Sequence, residues 1–137
     1  MRFEYTEHTA DLGFTAYGTT LEELFANAAE ALFSVMVPIK TVRRRQKHIV
    51  EVQADALDEL LVHWLNELLF LSETQGLLFS RFEITFTDPT SLRAVAIGEP
   101  LDLSRHQLKA GIKAVTYHQL FVRQKKGLWE GHVVLDL

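Results

Sequence analysis

Two aspartates near opposite ends of the chain are the residues best suited to bind a metal ion. Asp11 follows His8 by three positions, and Asp136 precedes Leu137, whose main-chain carboxylate is a third acidic group. Carboxylate oxygens are the ligands that hard divalent cations prefer. If the first and last strands lie side by side, the three carboxylates converge. The alternative is a solvated Asp11 and a polar tail at Asp136, and the spacing alone favours that alternative.

Two further ionisable residues have apolar neighbours in the predicted elements. Lys113 alternates with Val115 and Tyr117 along a predicted strand, so it either extends its ammonium group to water or pairs with an acid. Glu67 lies three residues after Trp64 on a predicted helix, so it is either paired or at the boundary with solvent. The pattern leaves these alternatives open for both residues.

Other chemical motifs are weak or lacking in the sequence. The six histidines have neither metalloprotease nor zinc-finger spacing, and His8 is only a minor candidate for joining Asp11. No glycine-rich phosphate loop or nucleophile-elbow serine occurs. The basic residues at 43–45 and Lys47 either contact RNA phosphates or form a solvated turn, which is the commoner role of such a run.

Two helices and the strands around them must position these residues. Alternation of Leu12, Phe14 and Ala16 predicts a first strand. Thr20 lies three residues before Glu23, a capping-box spacing that predicts a helix ending at 37–38. A second helix is predicted from 57 to 71 and is apolar on most of its circumference, so we expect it to be covered on more than one side.

The boundaries of the second helix and the later strands follow from local signals. We expect Asp55 to cap the second helix and Gly76 to stop it. Strands are predicted at 48–52, 82–86, 92–97, 112–122 and 129–137, with a turn at 88–90 and a loop at 98–100. The fold class is therefore α+β, with two helices packed on a mixed or antiparallel sheet. With no linker in view, we expect one domain over residues 1–137.

Composition limits the protein classes. The chain has 137 residues, 47% of them hydrophobic, which is enough for one domain with a sizeable core. Its formal net charge of −4 argues against a protein that coats nucleic acid. The sequence has no cysteine, no apolar run of signal-peptide length at its start and no membrane span. These features predict a cytoplasmic protein.

Five segments taken together resemble the archease family. In chain order they are residues 8–13 (HTADLG), 21–29 (LEELFANAA), 64–69 (WLNELL), 113–118 (KAVTYH) and the terminal Asp136. Each segment alone is a weak signal, but the ordered set spans nearly the whole chain and is specific.

The resemblance implies a non-catalytic accessory protein. Archeases activate the RtcB-type RNA ligase, which joins RNA ends bearing a 3′-phosphate and a 5′-hydroxyl with GTP and manganese in tRNA splicing and RNA repair. The family's metal site would fall on Asp11, Asp136 and Leu137, with Ca²⁺, Mn²⁺ or Mg²⁺ as the ion. Its ligase-activating residues would be Asp11, Glu67, Lys113 and Asp136. RNA would be reached only indirectly, through the ligase.

One departure from the family pattern concerns the second helix. His63 stands where archeases commonly have an aspartate, so no role is expected for a carboxylate at that position. Two other functions remain as alternatives. A carboxylate-bound metal near a lysine could hydrolyse phosphoesters, and the basic run would suit a chaperone-like RNA-binding module.

Overall fold

The structure is a computed structural model that describes residues 1–8 and 11–137, without the side chain of His8. The described elements are β1 (Phe3–His8), β2 (Asp11–Gly18), α1 (Leu21–Met36), a 3-10 turn (Ile39–Thr41), β3 (Gln46–Gln53), α2 (Leu57–Gln75), β4 (Leu77–Asp88), β5 (Ser91–Pro100), β6 (Ala114–Lys125) and β7 (Leu128–Asp136). None of the helices in this part of the chain is long and apolar enough to span a membrane.

The strands form two antiparallel sheets. One has the order β1-β2-β7-β6 and the other β3-β5-β4. Both helices contact strands of both sheets: α1 packs on β2 and β4, and α2 on β6 and β3. The predicted α+β class, with two helices packed on antiparallel strands, is confirmed. The condition for bringing Asp11 near Asp136 is met, because β7 lies between β2 and β6.

Helix α1 begins and ends where the sequence predicts. The Thr20 hydroxyl accepts a hydrogen bond from the Glu23 N–H at 3.1 Å, which satisfies one free donor of the first turn. The last turn closes with the Val37 N–H donating to the Phe33 carbonyl, and Pro38 follows. Leu24 and Phe25 are fully buried in the core between the sheets.

Helix α2 is the central element of the core. Its fully buried residues are Leu60, Leu61, Val62, Trp64, Leu65 and Leu68, which cover most of the helix circumference as predicted. Trp64 also donates its indole N–H to the Phe25 carbonyl at 3.0 Å, joining α2 to α1. Gly76 ends the helix in the left-handed conformation, with φ of 63°, which glycine adopts without strain.

Three local predictions are wrong. Asp55 does not cap α2: Ala56 is the N-cap residue and provides no side-chain hydrogen bond. Residues 98–100 are not a loop but the end of β5, where Gly98 is required because a Cβ there would overlap the Leu78 carbonyl. Lys113 precedes β6 rather than lying within it. In addition, β1 is a strand that the alternation analysis did not detect.

Candidate functional site

Four of the predicted site residues lie around one end of the four-stranded sheet. Asp11 begins β2 and is paired in register with Asp136 at the end of β7. On the other side of Asp136 lies Ala114, the first residue of β6. The N–H of Lys113 donates to the Asp136 carbonyl at 2.8 Å, which fixes the start of β6 against β7. We call Asp11, Asp136 and Leu137 the acidic corner.

The two aspartates of the acidic corner face each other across the strands. Strand alternation places them opposite the core face, which carries Leu12 and the fully buried Leu135. Asp11 is half-buried and Asp136 is exposed. In residues 1–8 and 11–137, neither carboxylate forms an ion pair with a lysine or arginine. Like charges directly opposite one another destabilise a sheet, and a bound cation would remove that repulsion.

The donor set of the acidic corner suits a hard divalent cation. The side-chain carboxylates of Asp11 and Asp136 offer only oxygen ligands, which favours calcium, magnesium or manganese over softer ions. Among the described residues, no three His, Cys, Asp or Glu side chains are grouped to hold a metal. The side chain of His8 lies outside the part that the structure describes, as do Thr9 and Ala10.

Lys113 lies beside the acidic corner, and Glu67 lies on α2, which packs against β6. Asn66, next to Glu67, accepts the Val115 N–H at 2.9 Å and donates to the Val115 carbonyl at 3.0 Å. This amide satisfies the N–H and the carbonyl of Val115 in the edge strand β6, and it fixes α2 to that strand.

Neither Lys113 nor Glu67 forms an ion pair within the described ranges. Lys113 is exposed and Glu67 is half-buried. The structure thus brings Asp11 and Asp136 together and places Lys113 beside them through its backbone, whereas Glu67 lies on α2, next to the Asn66 that binds β6.

His63 connects helix α2 with strands β3 and β6. Its Nδ1 lies 3.1 Å from the Gln53 carbonyl of β3, and its Nε2 lies 3.1 Å from the Tyr117 hydroxyl of β6. The Gln53 carbonyl accepts from Nδ1–H, and the Tyr117 hydroxyl can donate to Nε2 or accept from it. The position where archeases commonly have an acid therefore holds a hydrogen-bonding link between β3 and β6 in this chain.

Sequence reasoning missed a buried charged cluster at the end of β5. The Glu99 carboxylate is 3% exposed and accepts hydrogen bonds from the Arg43 N–H at 2.7 Å and from His106 Nε2 at 2.9 Å. It also forms an ion pair with Arg105. Because His106 Nδ1 accepts the Asp102 N–H at 2.9 Å, the imidazole proton is on Nε2, directed at Glu99.

The electrostatics of this cluster favour an ionised Glu99. Burial raises the pKa of Glu99, but the hydrogen bonds from Arg105, the Arg43 N–H and His106, with the charge of Arg105, outweigh it and lower the pKa to about 2. The cluster fixes the start of the segment 101–113, which leads to Lys113. No strong sequence signal marks this buried cluster, because the glycine and proline on either side of Glu99 predict a loop.

These observations define an α+β protein whose acidic residues meet at a sheet end beside a lysine. The chain belongs to the archease family, since the model described as "Archease protein family (MTH1598/TM1083)" matches residues 3–137.

Curated relatives named "Protein archease" match the full length of the chain. The archease of Methanosarcina mazei is 39% identical over 140 residues, covering 99% of this chain and 96% of the relative. That of Pyrococcus abyssi is also 39% identical, covering 99% of each protein. That of Methanopyrus kandleri is 39% identical and covers 100% of both.

Two solved structures share the fold. The solution structure of Methanobacterium thermoautotrophicum protein 1598 has a TM-score of 0.88 and 39% identity, covering 99% of both chains. The crystal structure of a Thermotoga maritima archease, described as a possible chaperone, has a TM-score of 0.65 and covers 96% of this chain and 94% of its own. At 19% identity, the second likeness shows the fold alone.

Proposed function

We propose that this protein is a non-catalytic activator of an RtcB-type RNA ligase in tRNA splicing or RNA repair in the cytoplasm. In this role it promotes guanylylation of the ligase and allows repeated turnover. The observation that carries the proposal is the facing pair of Asp11 and Asp136 beside Lys113 at an accessible sheet end. Membership of the archease family supports the same conclusion.

The acidic corner is the part that we expect to meet the ligase. Asp11, Asp136 and the Leu137 carboxylate would hold Ca²⁺, Mn²⁺ or Mg²⁺, and the bound ion would supply positive charge near the phosphates of the ligase active site. Lys113 adds a second positive charge at the same end, and Glu67 offers a carboxylate from α2. RNA is bound by the ligase, so we expect this protein to act on RNA only through the ligase.

Activation must act through a difference in affinity. A partner shifts a conformational equilibrium only by as much as it binds one state better than the other. The protein should therefore bind the guanylylation-competent form of the ligase more tightly than the resting form. The hydrogen bonds of Asn66 and Lys113 to the backbones of β6 and β7 hold the corner in one geometry, which reduces the entropy lost on binding.

Divalent-cation binding should depend on both aspartates. In Asp11→Asn or Asp136→Asn, calorimetric titration with calcium or manganese should show no saturable binding, because each change removes one of few charged ligands. In the parent, a cation at 100 times its Kd should raise the free energy of unfolding by about 2.7 kcal/mol. One residue added after Leu137 should also weaken binding by displacing its carboxylate.

Asp55→Asn is the matched control for the two aspartate variants, since Asp55 is exposed and does not cap α2. It should bind the cation as the parent does. Unchanged affinity in both Asp11→Asn and Asp136→Asn would remove the metal site from the proposal.

Ligase turnover should be lost without loss of folding. Asp11→Asn, Asp136→Asn and Lys113→Gln replace groups that lack an ion pair in the described part of the chain, so each should change stability by less than about 0.5 kcal/mol. With limiting ligase, GTP, manganese and a 3′-phosphate RNA, each variant should reduce the product to about one turnover per ligase. Equal stimulation by all three variants and the parent would contradict the mechanism.

The rival enzymatic function is tested by the protein alone. A metal-dependent phosphoesterase would release phosphate from a phosphoester substrate without ligase, and Asp11→Asn would abolish that release. We expect no release by the parent at the protein concentration that saturates ligase stimulation.

A further inference from the structure

An arginine-lined pocket lies on a different part of the surface from the acidic corner. Its lining includes Arg2, Arg44, Arg81, Glu30 and Ser80, around a volume of about 240 Å³. Three arginines, from the N-terminus, the segment before β3 and strand β4, thus line one pocket together with a single glutamate. The pocket carries a net charge of +2 on a chain whose formal net charge is −4.

The arginines of this pocket are incompletely paired by the protein. Arg2 forms an ion pair with Glu30 and donates to Asn27 at 3.3 Å. Arg81 lies 3.7 Å from Glu83 with both side chains about half exposed, a contact of little strength. Arg44 has no ion pair among the described residues. The three arginines of the pocket outnumber its one carboxylate, so a bound anion would reduce their mutual repulsion.

The segment that carries Arg44 is fixed to the neighbouring strand β5. The Arg43 N–H donates to the buried Glu99 carboxylate at 2.7 Å, and the Arg45 N–H donates to the Gly98 carbonyl at 2.9 Å. The backbone of the basic run is therefore held at two points ahead of β3, while the side chains at 43–45 and of Lys47 are exposed to solvent. Arg44 is held between two backbone anchors, so less conformational entropy is lost when it binds a ligand.

We propose that the pocket of Arg2, Arg44 and Arg81 is an oxyanion site for phosphate groups. Planar guanidinium groups bind phosphate oxygens through paired hydrogen bonds, which a lysine cannot form in the same way. The phosphate could belong to a small nucleotide or to the end of an RNA strand, and the chemistry of the pocket is the same for both. This inference goes beyond the proposed function, because the pocket shares no residue with the acidic corner.

The probe is pyrophosphate, titrated into the full chain by calorimetry. Arg44→Gln and Arg81→Gln should each weaken binding about tenfold, which corresponds to about 1.4 kcal/mol. Glu30→Gln should tighten binding, because it removes the carboxylate and frees Arg2. Arg93→Gln is the matched control for Arg81→Gln: Arg93 is 54% exposed and 3.7 Å from Glu51, whereas Arg81 is 52% exposed and 3.7 Å from Glu83.

Competition experiments identify the source of the phosphate. GTP and two oligoribonucleotides of one sequence, with and without a terminal phosphate, should be tested for displacement of pyrophosphate. Displacement only by the phosphorylated oligonucleotide assigns the site to RNA ends, and displacement by GTP assigns it to nucleotides. No saturable pyrophosphate binding, or an equal loss of affinity in Arg93→Gln and Arg44→Gln, would overturn the proposal. Stimulation of the ligase can persist in either case, so the two proposals fail separately.

Discussion

Replacing Trp64 with alanine should lower the free energy of unfolding by about 3–5 kcal/mol. Trp64 is fully buried in the core between the two sheets, and its indole N–H donates to the Phe25 carbonyl of α1. The substitution removes the largest buried side chain of α2 and leaves a cavity that the surrounding rings of the core cannot fill. Urea or guanidinium melts followed by circular dichroism measure the loss.

Two variants of α2 show whether burial is the cause. Phe70 lies on the same helix but is 58% exposed, so Phe70→Ala should cost less than about 1 kcal/mol. Trp64→Phe keeps an aromatic ring and should cost less than Trp64→Ala. A cost of Trp64→Ala below about 1 kcal/mol would mean that α2 is peripheral, contrary to the observed packing.

Replacing Glu99 with alanine should be nearly as costly, at about 3–5 kcal/mol near neutral pH. The change leaves the Arg43 N–H and the buried His106 without their acceptor and removes the partner of Arg105. Glu51→Ala is the control, because Glu51 is 72% exposed and lies 3.7 Å from Arg93. Its cost should be within about 0.5 kcal/mol of zero.

The pH dependence of the unfolding free energy should show whether the ionised form of Glu99 stabilises the fold. Its pKa in the folded protein is about 2, below the ordinary value of 4.5, so ionised Glu99 stabilises the fold above pH 4.5. That contribution is lost as the pH falls from 4.5 towards 2. The difference in unfolding free energy between the parent and Glu99→Gln should therefore shrink over this interval. A constant difference would mean that the charge contributes nothing.

The sequence predicts elements best where the determining contacts are local. The Thr20 cap and the Gly76 stop each depend on a few neighbouring residues, and both are confirmed. Pairing of Asp11 with Asp136 was predicted only as a condition, because strand order depends on the whole fold. Whether these residues bind metal stays a prediction, as do the roles of Glu67 and Lys113.

The errors arise where tertiary contacts override a local signal. Gly98 indicates a turn in isolation, but here it allows β5 to approach the Leu78 backbone closely. Glu99 then lies in the interior because the Arg43 N–H and the His106 ring donate hydrogen bonds to it. Arg43 is distant in sequence, and nothing in the sequence around His106 marks it as a partner of Glu99. Similarly, Asp55 has the right residue type for a helix cap, yet the helix begins one residue later than that role requires.

The central position of β7 has a consequence for how the chain acquires its structure. This strand is the last described element in chain order, yet it pairs with β2 across a separation of more than about 100 residues. Contacts so distant in sequence close late and make folding slow. During synthesis, β2 and β6 must wait for β7 with their facing edges unpaired, so the nascent protein is exposed to strand-to-strand aggregation until β7 emerges. The pairing of Asp11 with Asp136 would then form late, because it needs β2 and β7 together.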